Sequence, residues 1–202
     1  MRYLGGKHYQ AKHIAEKITE HSGPLVDFYE PFVGAFNLVP RLKEAKFKAI
    51  HCSDKLEGLI SLWRAVKGGW LPSIDYKVSR AERDRLRFFD CQKDPMWAVY
   101  AFGCSFGGKL FGSYTGEKQA NKTSNTFYQS CINSIARKQK HTNLASFSCM
   151  DYTQINPKKG DVVYCDPPYK GTEKVGEKGP FCHEAFWNWA EHLSTSGVKV
   201  FV

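Results

Sequence analysis

The two ends of the chain alternate short apolar runs with amphipathic stretches. Apolar positions at helical spacing predict a helix over residues 10–21, which Ser22-Gly23-Pro24 ends. The same spacing predicts helices over 37–46, 56–66 and 183–194. Short apolar runs predict strands at 25–29, 48–52, 144–149, 161–165 and 198–202.

This alternation predicts an α/β fold with a mostly parallel sheet and helices on both of its faces. Ligands of such sheets bind outside the carboxyl ends of the strands. The loops after strands 25–29, 48–52 and 161–165 are therefore the expected site of chemistry. The sequence stops inside a strand, which predicts that the domain has further C-terminal strands.

The formal charge of +9 is concentrated in the middle of the chain. Residues 67–140 contain thirteen Lys and Arg against six Asp and Glu, and so hold +7 of it. Twelve aromatic residues are interleaved with these charges, a pattern typical of a surface that neutralises phosphates and packs against bases. The alternative is a local aromatic core beneath charges that solvate helix faces.

The cysteines and the hydropathy indicate the compartment. The seven cysteines lie singly, without a CxxC pair, which favours reduced thiols in a cytoplasmic protein and argues against a metal site. No apolar stretch is long enough for a membrane span, and the first residues lack the apolar segment of a secretory signal.

Asp166-Pro167-Pro168-Tyr169, after the strand 161–165, is the sharpest chemical signal. The two prolines keep the backbone extended and remove two N–H donors. The Asp166 carboxylate and the Pro167 carbonyl can then accept both N–H bonds of an exocyclic amine, while a planar base stacks on Tyr169. A structural Pro-Pro turn is the alternative, but chance gives this tetrapeptide in about one in a thousand chains of this length.

Two further segments follow the first two strands. Phe28–Asn37 predicts a strand, a tight turn and a helix, the arrangement in which a backbone approaches a nucleoside-type ligand. Asp54 ends the next strand, where an acid accepts hydrogen bonds from ribose hydroxyls. An equally good interpretation is that Asp54 caps the helix over 56–66.

These motifs, in this order, resemble the Dam-type DNA adenine-N6 methyltransferases, and especially the phage branch of that family. The resemblance rests on Arg2-Tyr3-Leu4-Gly5-Gly6-Lys7, Phe28–Gly34, Ser53-Asp54 and Asp166–Tyr169. It implies a Rossmann-like domain that binds S-adenosylmethionine (SAM), formed by residues 1–66 and 144–202, with a target-recognition insert over 67–143. The implied activity is metal-free methyl transfer from SAM to N6 of a flipped adenine in double-stranded DNA. The purpose stays open between evasion of restriction–modification, regulation and repair marking.

The resemblance also implies roles for individual residues. The catalytic group comprises Asp166, Pro167, Pro168 and Tyr169. The SAM site comprises Tyr3, Lys7, Phe32, Gly34, Asp54, Asp151, Tyr152 and Asp166, and the DNA contacts comprise Arg2, Lys109 and Phe111. Two departures stand out: Gly34-Ala35-Phe36 replaces a glycine cluster, and 106–111 lacks the family's usual Asn and Arg readers, so no target sequence is inherited.

Three rival functions stay open on the sequence. The first is an NTPase. Gly103–Leu110 is one residue short of its phosphate-binding loop, because Leu110 stands where a Ser or Thr would bind Mg²⁺. A second rival keeps the fold and methylates cytosine N4, an RNA base or protein glutamine, although Asp166 favours adenine. The third is a SAM-binding or DNA-binding remnant without turnover.

Overall fold

The computed structural model of the chain describes Met1 and residues 3–43, 46–89, 91–118, 125–169 and 181–202. It divides into two compact units. The sheet unit comprises Lys7–Leu56 and Leu144–Val202, and the insert unit comprises Met1–Gly6 and Glu57–Asn143.

The helices and strands of the described residues follow the alternation of the sequence. In chain order they are α1 (Ala11–His21), β1 (Val26–Glu30), β2 (Phe47–Asp54), α2 (Glu57–Lys67), α3 (Arg80–Phe88), α4 (Met96–Ala98), α5 (Phe127–Thr142), β3 (Ala145–Cys149), β4 (Val162–Tyr164), α6 (His183–Thr195) and β5 (Lys199–Phe201). None of these helices is long and apolar enough to cross a bilayer.

The sheet unit is built on five parallel strands in the order β3-β2-β1-β4-β5. Tyr29 of β1 pairs with His51 on one side and Val163 on the other. The strand order reverses between β1 and β4, and ligands of parallel sheets bind at the carboxyl ends beside such a switch point. The Rossmann-like α/β fold expected from the sequence is confirmed.

Burial follows the expected periods in this unit. Helix α1 buries Ala15 and Ile18 on one face, at the three-residue spacing of a helix. Strand β1 buries Phe28 and Glu30, two residues apart on the same face, while Tyr29 between them is only partly buried.

The helix predicted over residues 37–46 is wrong for the described part of that segment. Val39–Arg41 form one 3₁₀ turn, and Leu42 is already extended, with ψ near 150°. Pro40 lies inside the turn, has no N–H to donate, and would clash with the carbonyl four residues earlier in an α-helix. Residues 44 and 45 lie outside the described residues.

The insert unit is mainly helical. Helix α2 packs against α4 and α5, and α3 packs against α4, which Val99–Gly103 prolong as a π-helix. Gly58 of α2 lies so close to Trp97 that a Cβ would come within 2.2 Å of Trp97 Cε3. The resemblance implies a catalytic domain that includes residues 1–66, whereas residues 1–6 and 57–66 fall in this unit, where α2 packs against α4 and α5.

Candidate functional site

Asp166 and Tyr169, which follow β4, meet Lys7 in the segment before α1. Lys7 Nζ lies 2.6 Å from Asp166 Oδ1 and also donates to the Tyr169 hydroxyl. That hydroxyl donates to Asp166 Oδ1 at 3.2 Å, and the ammonium lies 4.5 Å from the centre of the Tyr169 ring. The Lys7 and Asp166 side chains are each 21% exposed, so the cluster is open to solvent on one side.

The charges of this cluster are set by its hydrogen bonds. Partial burial lowers the pKa of Lys7, but the hydrogen bonds with Asp166 and Tyr169 outweigh it, so the pKa lies above its usual value. Burial also raises the pKa of the Tyr164 hydroxyl and of the Cys165 thiol. Cys165 is 1% exposed, and its neutral thiol packs as a small apolar side chain.

Pro167 and Pro168 lie between Asp166 and Tyr169 in the chain. Both are partly buried and lie outside any strand, and the sheet pairing of the β4 segment ends at Cys165, whose N–H donates to Phe201 O at 2.8 Å. Two residues without N–H groups end the ladder where the sequence predicts it.

The turn after β1 is fastened to the end of β2 by Asp54. Its Oδ2 accepts the Gly34 N–H at 3.0 Å, and its Oδ1 accepts the Leu56 N–H at 3.0 Å. A backbone bond from Val33 N–H to Ser53 O, also 3.0 Å, runs beside them. Asp54 therefore holds the turn after β1 and the backbone just before α2.

The altered glycine cluster keeps a left-handed backbone. Gly34 has φ 44° and Phe36 has φ 51°, so a phenylalanine adopts a conformation that favours glycine. Phe36 is fully buried, and its ring meets Phe147 edge-on at 5.3 Å. Burial of this ring offsets the backbone cost.

Phe32 and Tyr152 form an aromatic wall in the sheet unit. Their rings stack at 5.5 Å with 27° between the planes, and both meet the buried ring of Phe186. Asp151, next to this wall, caps the 3₁₀ turn at Tyr152–Gln154 and pairs with Lys55 at 3.5 Å.

The sheet unit thus carries the groups that an adenosine-containing cofactor needs. Asp54 supplies a partly exposed carboxylate at a strand end, Phe32 and Tyr152 supply apolar rings, and Gly34 supplies a tight backbone turn. These residues fit SAM. Within the described residues, no cluster of three or more His, Cys, Asp or Glu could hold a metal ion.

The resemblance also names two residues at the N-terminus. Tyr3 belongs to the insert unit, where its ring lies 4.8 Å from that of Phe102. Arg2 lies outside the described residues.

The segment Ser105–Tyr114 of the insert unit carries the other DNA-contact candidates. An antiparallel bridge between its end residues closes it. Lys109 is exposed in it, whereas the Phe111 ring packs edge-on against Trp97 at 5.1 Å. Phe106, which has no role in the sequence analysis, is 65% exposed.

Sequence reasoning also missed Arg83, a buried residue of α3 that holds this segment. Its Nη2 donates to Phe111 O at 2.7 Å and to Gly112 O at 2.8 Å. The available signal was helical spacing, because Arg80, Arg83 and Arg87 fall on one stripe.

Residues 105–201 match the sequence model of the D12 class N6 adenine-specific DNA methyltransferases. This match, over just under half of the chain, supports the Dam-type family that the resemblance names. D12 class enzymes transfer a methyl group from SAM to N6 of adenine in DNA, so the activity, the cofactor and the DNA substrate expected from the resemblance are confirmed. The rival functions are not favoured. No curated protein matches the chain.

Proposed function

We propose that Asp166, the Pro167 carbonyl and Tyr169 hold the target adenine of this D12 class methyltransferase, in the position that Lys7 occupies. One observation carries the proposal: the Lys7 ammonium donates to Asp166 and lies 4.5 Å from the centre of the Tyr169 ring. A nitrogen with N–H donors is thus held between an acidic acceptor and an aromatic face. An adenine N6 amine there donates to the same carboxylate while its ring stacks on the same phenol.

The chemistry follows from the electronic state of the amine. Adenine N6 is a weak nucleophile because its lone pair is delocalised into the ring. Hydrogen bonds from its two N–H groups to Asp166 and the Pro167 carbonyl favour a localised lone pair and stabilise the positive charge that develops on nitrogen. When bound, SAM supplies an activated methyl group. The excess proton on N6 then leaves through the Asp166 carboxylate to water.

Lys7 keeps the site neutral before the base arrives. Its ammonium lies 2.6 Å from Asp166 Oδ1, where it compensates the charge of the carboxylate and fixes its orientation. The incoming amine takes over this hydrogen bond, and the Lys7 side chain has to swing away to admit the base.

The cofactor and DNA contacts complete the proposal. Phe32, Gly34, Asp54, Asp151 and Tyr152, which meet at the carboxyl ends of β1, β2 and β3, contact SAM, with Asp54 on the ribose. Lys7 and Tyr3 retain the SAM roles that the resemblance implies, and Arg2, Lys109 and Phe111 retain their DNA roles. The substrate is double-stranded DNA, from which the adenine flips at a cost of a few kcal/mol. Seven free cysteines favour a reducing, cytoplasmic setting.

The test is replacement of Asp166 by alanine. We expect at least a ~100-fold lower rate of methyl transfer to unmethylated duplex DNA, about 2.7 kcal/mol in the barrier. Glu16→Gln, an exposed carboxylate of α1, is the matched control and should keep the wild-type rate. Circular dichroism establishes that each variant folds. Activity of Asp166→Ala within about tenfold of wild type contradicts the proposal.

A further inference from the structure

The C-terminal end of α3 exposes two adjacent phenylalanines. Phe88 is 70% exposed and Phe89 is 75% exposed. Neighbouring large apolar side chains that stay in water mark contact surfaces more often than single exposed ones do. Both belong to the insert unit and lie outside the segment Ser105–Tyr114.

Three arginines run along α3 on one stripe, because they occupy positions i, i+3 and i+7. Each guanidinium lies over an aromatic ring: Arg80 over Tyr114 at 5.9 Å, Arg83 over Phe111 at 5.7 Å, and Arg87 over Phe88 at 5.4 Å. The middle arginine is 7% exposed and is used to hold the segment Ser105–Tyr114. The outer two lie about 10 Å apart along the helix axis.

The acidic residues of α3 leave these outer arginines unneutralised. Glu82 pairs with Arg85 at 2.8 Å, and Asp84 pairs with Arg83 at 2.8 Å. Arg80 and Arg87 make no ion pair with any described residue. Helix α3 therefore carries an exposed guanidinium near each of its ends, and Arg87 lies beside the exposed aromatic pair.

We propose that the exposed side of α3 is a second DNA-contact surface, in which Arg80 and Arg87, near its two ends, bind backbone phosphates, and Phe88 and Phe89 at its C-terminal end pack against base faces. The proposal rests on the methyltransferase function only for the identity of the partner. Duplex DNA fits the surface because phosphates complement the two charges, and aromatic side chains wedge against bases where a duplex is opened. A flipping enzyme creates such an opening beside its target base.

The experiment measures DNA affinity over a range of salt concentrations. Fluorescence anisotropy with a labelled duplex compares wild type, Phe88→Ala/Phe89→Ala and Arg80→Ala/Arg87→Ala. We expect the phenylalanine pair to weaken binding about tenfold or more at every salt concentration, with an unchanged salt slope. The arginine pair should reduce the slope of log K against log salt by about 0.9 for each phosphate that is no longer neutralised.

Matched controls use exposed residues of the same kinds in the sheet unit. Trp187→Ala, which removes a ring that is 54% exposed, and Arg41→Ala should leave affinity and slope unchanged. Sedimentation velocity on the same samples reports self-association, and thermal unfolding reports the fold.

The outcomes separate this proposal from the catalytic one. Affinities of both double variants within about twofold of wild type overturn it, as does a loss of self-association without a loss of DNA affinity. A change with the arginine pair alone overturns the aromatic part. The binding assay involves no methyl transfer, so a failed Asp166 assignment leaves this result readable.

Discussion

Replacing Arg83 with alanine tests how the segment Ser105–Tyr114 is held in place. The guanidinium is almost fully buried, and it donates to the carbonyls of Phe111 and Gly112. Phe111 has φ 43°, a left-handed conformation that is costly for a bulky side chain. The backbone at this point therefore depends on the two hydrogen bonds from α3.

The magnitude follows from these contacts. A hydrogen bond from a charged donor contributes about 1.5–3 kcal/mol, and the contact with the Phe111 ring adds about 0.5–1 kcal/mol. Arg83 Nε is buried without a partner in the described part of the chain, which lowers the net gain. The pair with Asp84, whose side chain is 42% exposed, adds little. We expect Arg83→Ala to destabilise the insert unit by about 3 kcal/mol.

Hydrogen exchange read by mass spectrometry is the assay. The Phe106 N–H donates to Ser113 O at 2.9 Å, and the Phe111 N–H donates to Ala101 O at 2.8 Å, so both amides report the segment. A loss of about 3 kcal/mol speeds their exchange roughly 100-fold. Arg85→Ala, which breaks an exposed pair on the same helix, should cost below about 1 kcal/mol. If Arg83→Ala costs no more than Arg85→Ala, the reasoning is refuted.

Two further changes test the packing and the charge. Gly58→Ala should lower the free energy of unfolding, measured in urea, by roughly 1–3 kcal/mol, because its Cβ would lie 2.2 Å from Trp97 Cε3. Gly23→Ala is the control and should be nearly neutral, because its Cβ would meet only Val26, at 3.7 Å. The raised pKa of Lys7 gives a contribution to stability that is complete below pH 10.5, its unfolded value, and is lost as pH rises through the native pKa. The stability difference between wild type and Lys7→Met should therefore shrink above pH 10.5, and a difference that grows there contradicts the pairing.

The flanking elements could be predicted because each has one clear period. The apolar runs at 48–52 and 161–165 became β2 and β4, and the helical spacing at 56–66 became α2. The segment 37–46 shows where this prediction fails. Its apolar residues have helical spacing, but the proline within it prevents a continuous α-helix. In the insert unit, Arg83 is buried and Phe88 is exposed, although charged side chains are usually exposed and aromatic ones buried. Hydropathy therefore could not predict the position of either side chain.

The candidate site was predictable as a set of strand ends but not as a set of contacts. Position in a parallel sheet is enough to bring the turn after β1 to Asp54 and to place Asp166 at the same edge. The bond between Lys7 and Asp166 joins residues 159 positions apart, and no local pattern encodes that pair. Its discovery required the folded chain.

The placement of the insert has a consequence for how such enzymes diversify. β2 and β3 are adjacent parallel strands, with Asp54 opposite Cys149, and the block Glu57–Asn143 fills the crossover between them. A connection between parallel strands has only to bring the chain from the carboxyl end of one strand to the amino end of the next, whatever residues it contains. The block between these strands can therefore change in sequence and length while the pairing of β2 with β3 stays the same.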